Sequence, residues 1–137
     1  MTPVVQLIRS TVLAEAPYAY AATAPAGSRL IFLAGACPLD DDGDVVSPGD
    51  YPAQAARCVE TLKTALSASG AELADVISTR VLVASASRSD LVAAWDVIHA
   101  AFGAHEVPST LLGVTVLGYP DQLVEIEAIA AVEGTRS

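Results

Sequence analysis

Gln122–Glu133, with the sequence QLVEIEAIAAVE, decides the fold of this chain. Its side chains alternate, so that Val124 and Ile126 point to one side while Glu125 and Glu127 point to the other. This period of two predicts a β-strand rather than a helix. A strand so apolar is expected at the centre of a sheet, where a carboxylate needs a partner or a use. Either both carboxylates are solvated or ion-paired, or one of them belongs to a functional site.

The size and composition of the chain indicate one domain, residues 1–137. Hydrophobic residues make up 53% of the sequence but aromatic residues only 5%, so small aliphatic side chains must form the core. No apolar run approaches the roughly 18 residues of a membrane span. The first ten residues, MTPVVQLIRS, lack the layout of a signal peptide. We therefore expect a cytoplasmic protein.

The charge of the chain restricts its partners. Seven Lys and Arg residues stand against sixteen Asp and Glu residues, which gives a formal net charge of −9. Without a basic stripe we expect no binding to nucleic acid and none to anionic membranes. Cys37 and Cys58 are too few for a disulfide framework, and the two histidines show no metal-ligand spacing. We therefore expect neither a metal nor another cofactor.

Periodicity, caps and turn residues predict the element order β-β-β-α-β-α-β-β. The strands are expected at 3–9, 19–26, 29–35, 76–83, 109–117 and 122–133, and the helices at 50–69 and 90–102. The second and third strands are expected to pair as a hairpin. The first helix should begin at an Asp50 cap and bury a stripe of Ala55, Val59, Leu62 and Leu66.

This order predicts an α+β protein in which two helices cover one face of a single sheet. The other face would then expose a large patch of aliphatic side chains, which is unusual for a soluble monomer. We therefore expect copies of the chain to associate through that face.

Five short sequence motifs occur in the order typical of one known family. They are Ala16-Pro17-Tyr18, the run 32–39 (FLAGACPL), the helix with Gln54-Ala55 that runs to 68–71 (ASGA), the run 73–76 (LADV), and the run 123–130 (LVEIEAIA). On these motifs the chain resembles the Rid (YjgF) family of small imine and enamine deaminases. The resemblance covers nearly the whole chain. It implies a chorismate-mutase-like α+β domain and a homotrimer with small-molecule clefts between its subunits.

The resemblance also implies that this chain lacks the Arg with which deaminases of the family bind the substrate carboxylate. Deaminases of the family hold the substrate carboxylate with an Arg that follows a Pro near the penultimate strand, and this position falls on Ser109. A Cys often found two residues later falls on Leu111. The small polar residue before the glycine of the third strand falls on Ala34, and an Asn of the second helix falls on Trp95. We therefore expect a larger, less polar cleft and a ligand other than a simple 2-imino acid.

The candidate site follows from this comparison. Glu125 is the expected catalytic acid or base. The expected substrate-binding residues are Tyr18, Ala34, Cys37, Trp95, Ser109, Thr110 and Leu111. Ser109 and Thr110 either offer hydroxyl groups or cap a strand, with the structural role slightly favoured. Arg80 either replaces the missing clamp or, as we favour, forms a salt bridge to an acid. Cys37 has no visible base to activate it as a nucleophile.

Two hypotheses of function remain open. The favoured hypothesis is an enzyme that acts on an imine, an enamine or a related bond of a small metabolite. It includes an enzyme that modifies a product of secondary metabolism. The alternative is a non-catalytic trimer that binds a metabolite or a partner protein. Ribonuclease activity, which older descriptions attach to the family, is disfavoured by the net charge of −9.

Overall fold

A computed structural model describes residues 2–134 of the chain. Its six strands and two long helices follow the predicted order. The strands are β1 (Gln6–Ile8), β2 (Ala21–Thr23), β3 (Arg29–Phe32), β4 (Val76–Ala84), β5 (Ser109–Val114) and β6 (Val124–Val132), and the helices are α1 (Tyr51–Ala68) and α2 (Arg88–Phe102). A single 3-10 turn at Leu73–Asp75 precedes β4. The α+β class is confirmed, although most predicted strands are a few residues shorter at their ends.

Strand β6 lies inside a four-stranded sheet with the order β3-β6-β4-β5. It pairs antiparallel with β3 and β4, while β4 and β5 are parallel. Val124 and Ile126 are fully buried under the helices, whereas Glu125 and Glu127 are half-buried on the opposite face. The alternation predicted for residues 122–133 is therefore confirmed in β6, and both carboxylates lie on the face without helices.

Helix α1 begins and packs as predicted. The Asp50 carboxylate accepts a hydrogen bond of 2.9 Å from the backbone N–H of Ala53, which satisfies one of the free donors at the helix start. The predicted apolar stripe, Ala55, Val59, Leu62 and Leu66, is buried. Cys58 beside it is also buried, as is common for a free cysteine in a core. Within residues 2–134, neither helix is long and apolar enough to span a bilayer.

The predicted hairpin between the second and third strands is wrong. β2 pairs with β1 in a separate two-stranded sheet, and β3 pairs with β6 instead. Pro25, which has no N–H to donate, and Gly27, at a φ of 85°, turn the chain between β2 and β3. The start of the β2 segment is held elsewhere, since the N–H of Ala19 donates to the carbonyl of Glu106 at 2.8 Å. The strands therefore form two sheets rather than one.

The face of the main sheet opposite the helices is apolar and exposed. Phe32 is 73% exposed and Leu30 is 52% exposed on β3. Ile129 of β6 is paired with Phe32 and is half-buried. The predicted uncovered face is therefore present in the single chain. We call it the open face below.

Candidate functional site

The Glu125 carboxylate is bound by two neighbouring side chains. The Cys37 thiol donates to Oε1 of Glu125 over 3.1 Å, and the Gln122 amide donates to the same oxygen over 3.2 Å. A neutral thiol and an amide can stabilise a carboxylate in this way without neutralising it. Glu125 is therefore held as a single oriented group.

Gly35 makes room for that carboxylate. A Cβ atom at position 35 would lie 2.5 Å from Oε2 and 2.6 Å from Cδ of Glu125. The chain is irregular here: Phe32 pairs with Ile129 and Ala36 with Ile126, so four steps on one strand oppose three on the other. Such bulges are frequent beside functional sites because they redirect side chains. The Leu33–Gly35 irregularity thus brings the backbone of residue 35 under the Glu125 side chain.

Gln54 of α1 fixes the turn that carries Gln122. Its side chain is fully buried. Its oxygen accepts from the N–H of Leu123 at 2.7 Å, and its amide donates to the carbonyl of Asp121 at 3.0 Å. The turn before β6 is therefore attached to the core by side-chain hydrogen bonds, which orders the residues just before Glu125.

Cys37 is a neutral thiol in this environment. Burial, the hydrogen bond to Glu125 and the negative charge of Glu125 raise the pKa of Cys37 to about 11, although Gln122 acts in the opposite direction. A thiol with this pKa is almost fully protonated at neutral pH and is a poor nucleophile. This raised pKa agrees with the expectation that no base activates Cys37.

A second cluster lies at the free edge of β5. Pro17, Tyr18, Trp95, Ser109, Thr110 and Leu111 line an open cleft of about 470 Å³. None of these six residues carries a charge. Five of the predicted substrate-binding residues are therefore brought together, with two aromatic rings among them.

The Ser109 hydroxyl already has a partner inside the chain. Thr79, which is 5% exposed, donates its hydroxyl hydrogen to Oγ of Ser109 over 2.7 Å. The structural role of Ser109 is therefore real. Because Ser109 accepts in this contact, its own hydroxyl hydrogen stays available to a molecule in the cleft.

Glu106 connects the two sides of the cleft, one formed by Tyr18 and the other by Trp95. One carboxylate oxygen contacts Nε2 of His99 at 2.6 Å, and the His99 ring stacks on Trp95 with centroids 5.7 Å apart. The other carboxylate oxygen accepts from Arg9 at 2.6 Å, and Arg9 also donates to the carbonyl of Ala16 at 3.2 Å. The segment before Tyr18 and the Trp95 side of the cleft are thus connected through one carboxylate. The hydrogen bonds from His99 and Arg9 lower the pKa of Glu106.

Replacing Glu106 by Gln is expected to loosen the segment 10–20. Because the pKa of Glu106 is lowered, its contribution is complete above the ordinary Glu pKa and is lost as the pH falls through the lowered pKa. Amide exchange of Ala19, measured by NMR, should be several-fold faster in Glu106→Gln than in wild type at pH 7, and the difference should shrink near pH 3. Glu15→Gln, in the same exposed segment, is the matched control and should change nothing. Equal protection of Ala19 in all three proteins at pH 7 would exclude this role.

Glu125 and the cleft of the same chain are not brought together. Along β4, Glu125 pairs opposite Leu82 and Ser109 pairs opposite Thr79. Two strand spacings and three residues separate these positions, or roughly 14 Å between backbones. The Glu125 side chain also projects from the open face, while that of Ser109 projects toward the helices. Ala34, another predicted site residue, is exposed next to Gly35 and does not line the cleft.

Arg80 is paired as predicted. Its guanidinium lies 3.8 Å from the Glu127 carboxylate on the open face. Both side chains are about half exposed, so the pair is weak. Of the two carboxylates of β6, Glu127 is therefore the one that forms an ion pair. Glu125 is the one bound by uncharged donors.

Sequence reasoning missed Gln122, Gly35 and Glu106 as site residues. Gln122 carried a usable signal, since it shares its strand parity with Val124 and Ile126 and a polar side chain on a buried face needs a partner. Gly35 and Glu106 carried none that a single sequence shows, because their partners are distant in the chain.

These features define an α+β protein with a carboxylate site on the open face and an uncharged cleft at the sheet edge. A sequence profile described as Endoribonuclease L-PSP matches residues 9–132. The 3-aminoacrylate deaminase RutC of Acinetobacter baylyi is 31% identical over 117 residues, which cover 85% of this chain and 88% of the relative. A RutC family protein of Pyrococcus abyssi is 34% identical over 106 residues, which cover 77% of this chain and 80% of the relative. The chain therefore belongs to the Rid (YjgF) family, whose profile carries the Endoribonuclease L-PSP description.

Solved structures show the same fold. A Rid family protein, YyfB from Yersinia pestis, is 28% identical and superposes with a TM-score of 0.87, covering 94% of this chain and 99% of that one. A member of the YjgF/YER057c/UK114 family from Mycobacterium tuberculosis is 30% identical with a TM-score of 0.64, covering 93% and 99%. The predicted chorismate-mutase-like fold is confirmed.

Proposed function

We propose that this protein hydrolyses the C–N bond of an imine or enamine that lacks a carboxylate, with Glu125 as acid and base. The observation that carries the proposal is the Glu125 carboxylate, bound through one oxygen by Cys37 and Gln122 above a glycine. A relative of this chain is named as a 3-aminoacrylate deaminase, which supports C–N hydrolysis as the reaction class.

The reaction needs one group that both gives and takes a proton. Protonated Glu125 donates to the carbon of an enamine, or to the nitrogen of an imine, which produces an iminium ion. Glu125, now a carboxylate, then removes a proton from the water that attacks the iminium carbon. The resulting carbinolamine loses ammonia and leaves a carbonyl compound. One water is consumed and one ammonia released, without an external oxidant or reductant.

We infer that the working site forms between subunits of a homotrimer. Glu125 lies on the open face and the cleft lies at the free edge of β5, with roughly 14 Å between the backbones of Glu125 and Ser109, so a complete site needs the cleft of another copy. The exposed Phe32 and Leu30 on the open face supply apolar area for such contact. The ligand is thus expected between the Glu125 of one subunit and the Tyr18–Trp95 cleft of the next.

The lining of the cleft supports a substrate without a carboxylate. A carboxylate in the cleft of about 470 Å³ would lose its hydration without gaining a cation there. Tyr18 and Trp95 can instead pack against an apolar group, and the free hydroxyl hydrogen of Ser109 can bind an acceptor. A hydrophobic imine, such as one that an amine oxidase releases from a primary amine, fits this chemistry.

Substitution of Ser109 tests the substrate preference. Ser109→Arg is expected to raise kcat/KM for 2-aminoacrylate by at least about tenfold, because a guanidinium can bind the carboxylate through two hydrogen bonds. The measurement follows pyruvate and ammonia release, beside aldehyde release from a carboxylate-free imine. Ser109→Gln, of similar length without charge, is the control and should produce no such gain. Faster turnover of 2-aminoacrylate than of carboxylate-free imines by wild type would contradict the preference. If wild type turns over no imine at all but retains a ligand, a binding function would replace catalysis.

Substitution of Phe32 tests the association. Phe32→Asp places a charge on the open face, where burial against another subunit would cost several kcal/mol. Light scattering after size exclusion should show a trimer for wild type and mainly monomer for this variant. Val92→Asp, at a residue 48% exposed on the outer side of α2, is the control and should remain trimeric. A monomeric wild type, or a Phe32→Asp trimer as stable as wild type, would refute the trimer.

A further inference from the structure

The two oxygens of Glu125 have different surroundings. Oε1 accepts hydrogen bonds from both Cys37 and Gln122. Oε2 accepts none within residues 2–134, and every fully buried side-chain oxygen or nitrogen in that part of the chain has a hydrogen-bond partner. Oε2 must therefore reach solvent, although it lies directly over Gly35. One oxygen is occupied and the other is open.

Both donors are held in place by further contacts. Gln122 is 4% exposed, and its amide also donates to the carbonyl of Val124 at 3.1 Å, while its oxygen accepts from the N–H of Tyr119 at 3.1 Å. The carbonyl of Cys37 accepts from the hydroxyl of Thr61 on α1 at 3.0 Å. These contacts fix the Gln122 amide and the backbone of Cys37 beside Glu125. The arrangement therefore selects one orientation of the carboxylate.

We propose that Cys37 and Gln122 are positioning residues that bind Oε1 of Glu125 and so make Oε2 the single oxygen that exchanges a proton with the substrate. This inference rests on the proposed function and adds a role for two residues outside the cleft. A rotating carboxylate would share its proton between two oxygens at different distances from the ligand. Fixing it keeps the reacting oxygen in one geometry, which is where much of the advantage of a bound catalytic group arises.

The state of Cys37 agrees with a donor role. Since the pKa of Cys37 is raised to about 11, the thiol keeps its proton throughout the neutral range. Cys58, the other titratable group that interacts with both residues, has a raised pKa as well and is also neutral. Neither the Cys37 thiol nor the Cys58 thiol therefore carries a negative charge beside Glu125 at neutral pH.

A pair of Cys37 variants separates positioning from packing. Cys37→Ser keeps a donor at the same place, whereas Cys37→Ala removes the donor and little volume. For carboxylate-free imine hydrolysis, Cys37→Ser should remain within about threefold of wild type. Cys37→Ala should lower kcat by about tenfold with little change in KM, which corresponds to one hydrogen bond to a charged group.

Gln122→Met gives the second, independent removal of a donor, and it should likewise lower kcat with little change in KM. Equal effects of Cys37→Ser and Cys37→Ala, or an unchanged kcat in both Cys37→Ala and Gln122→Met, would overturn the inference. Imine hydrolysis by wild type would still support the proposed function. No turnover by wild type would instead overturn the proposed function and this role with it.

The contact itself has a readout without substrate. Glu125→Gln removes a charge that raises the pKa of Cys37, so iodoacetamide at pH 8.5 should alkylate Cys37 several-fold faster in this variant than in wild type. Cys37→Ser identifies the labelled thiol. Equal alkylation rates would show that the thiol does not contact the carboxylate in solution, which overturns the inference and leaves the proposed reaction intact.

Discussion

Glu125→Gln is expected to lower the turnover of a carboxylate-free imine by at least about 100-fold, which is the usual contribution of a general acid or base. The amide keeps the shape of the side chain, and its oxygen can still accept from Cys37 and Gln122. It cannot hold and release the proton that the reaction needs. The loss should therefore appear in kcat, with a melting temperature close to that of wild type.

Glu127→Gln is the matched control for that result. Glu127 lies two residues further along β6 on the same face, and its partner is the half-exposed Arg80 at 3.8 Å. Loss of this weak pair should change kcat by less than about twofold. A comparable loss of activity in both variants would mean that the two carboxylates act through the charge of the open face. Full activity of Glu125→Gln would remove Glu125 from the chemistry.

Gly35→Ala is expected to inactivate the protein to a similar degree, although residue 35 has no functional group. The added Cβ would lie 2.5 Å from Oε2, closer than non-bonded atoms approach, so the Glu125 side chain must move. Displacement by about 1 Å can cost roughly 100-fold in rate when a catalytic group is involved. Because the clashing atoms are the end of a flexible side chain, stability should fall by no more than about 1–2 kcal/mol.

Gly118→Ala controls for the general effect of replacing a glycine. A Cβ at position 118 would meet nothing within 4 Å, so this variant should keep both activity and stability. Thermal unfolding and imine hydrolysis measured on both variants check the prediction. An active Gly35→Ala protein would show that the carboxylate has more room than the contact with Gly35 allows. Unfolding of Gly35→Ala would show that the backbone, rather than Glu125, occupies that space.

Patterns local in sequence predicted most of the fold. The alternation of 122–133, the Asp50 cap and the apolar stripe of α1 each depend on neighbours a few residues apart, and all are present in the structure. The pairing of β2 was not predictable in the same way. Its three residues, Ala21–Thr23, are too small to specify a partner by packing, so a distant contact of Ala19 with Glu106 decides where the segment lies.

The candidate site was predictable only in part. The family resemblance identified Glu125 and the cleft residues as candidates, because these positions are placed relative to the sequence motifs of the family. The hydrogen bonds of Cys37 and Gln122 to Glu125 were not predictable, since the partners come from different elements and a bulge sets their register. Separation of the site into two halves, one on β6 and one at the free edge of β5, likewise follows from the sheet order, which a single sequence does not contain.

Mixed oligomers test the account most directly, because the acid of one subunit is proposed to act on a ligand in the cleft of another. Glu125→Gln lacks the acid, and Thr110→Trp fills the cleft with a bulky side chain at an exposed position. Each variant alone should be inactive. After the two are unfolded, mixed in equal amounts and refolded, roughly a quarter of the sites in a cyclic trimer pair an intact acid with an intact cleft. Imine hydrolysis at about a quarter of the wild-type rate is the predicted result. Mixed trimers, identified by native mass spectrometry, that remain inactive would contradict a site shared between subunits.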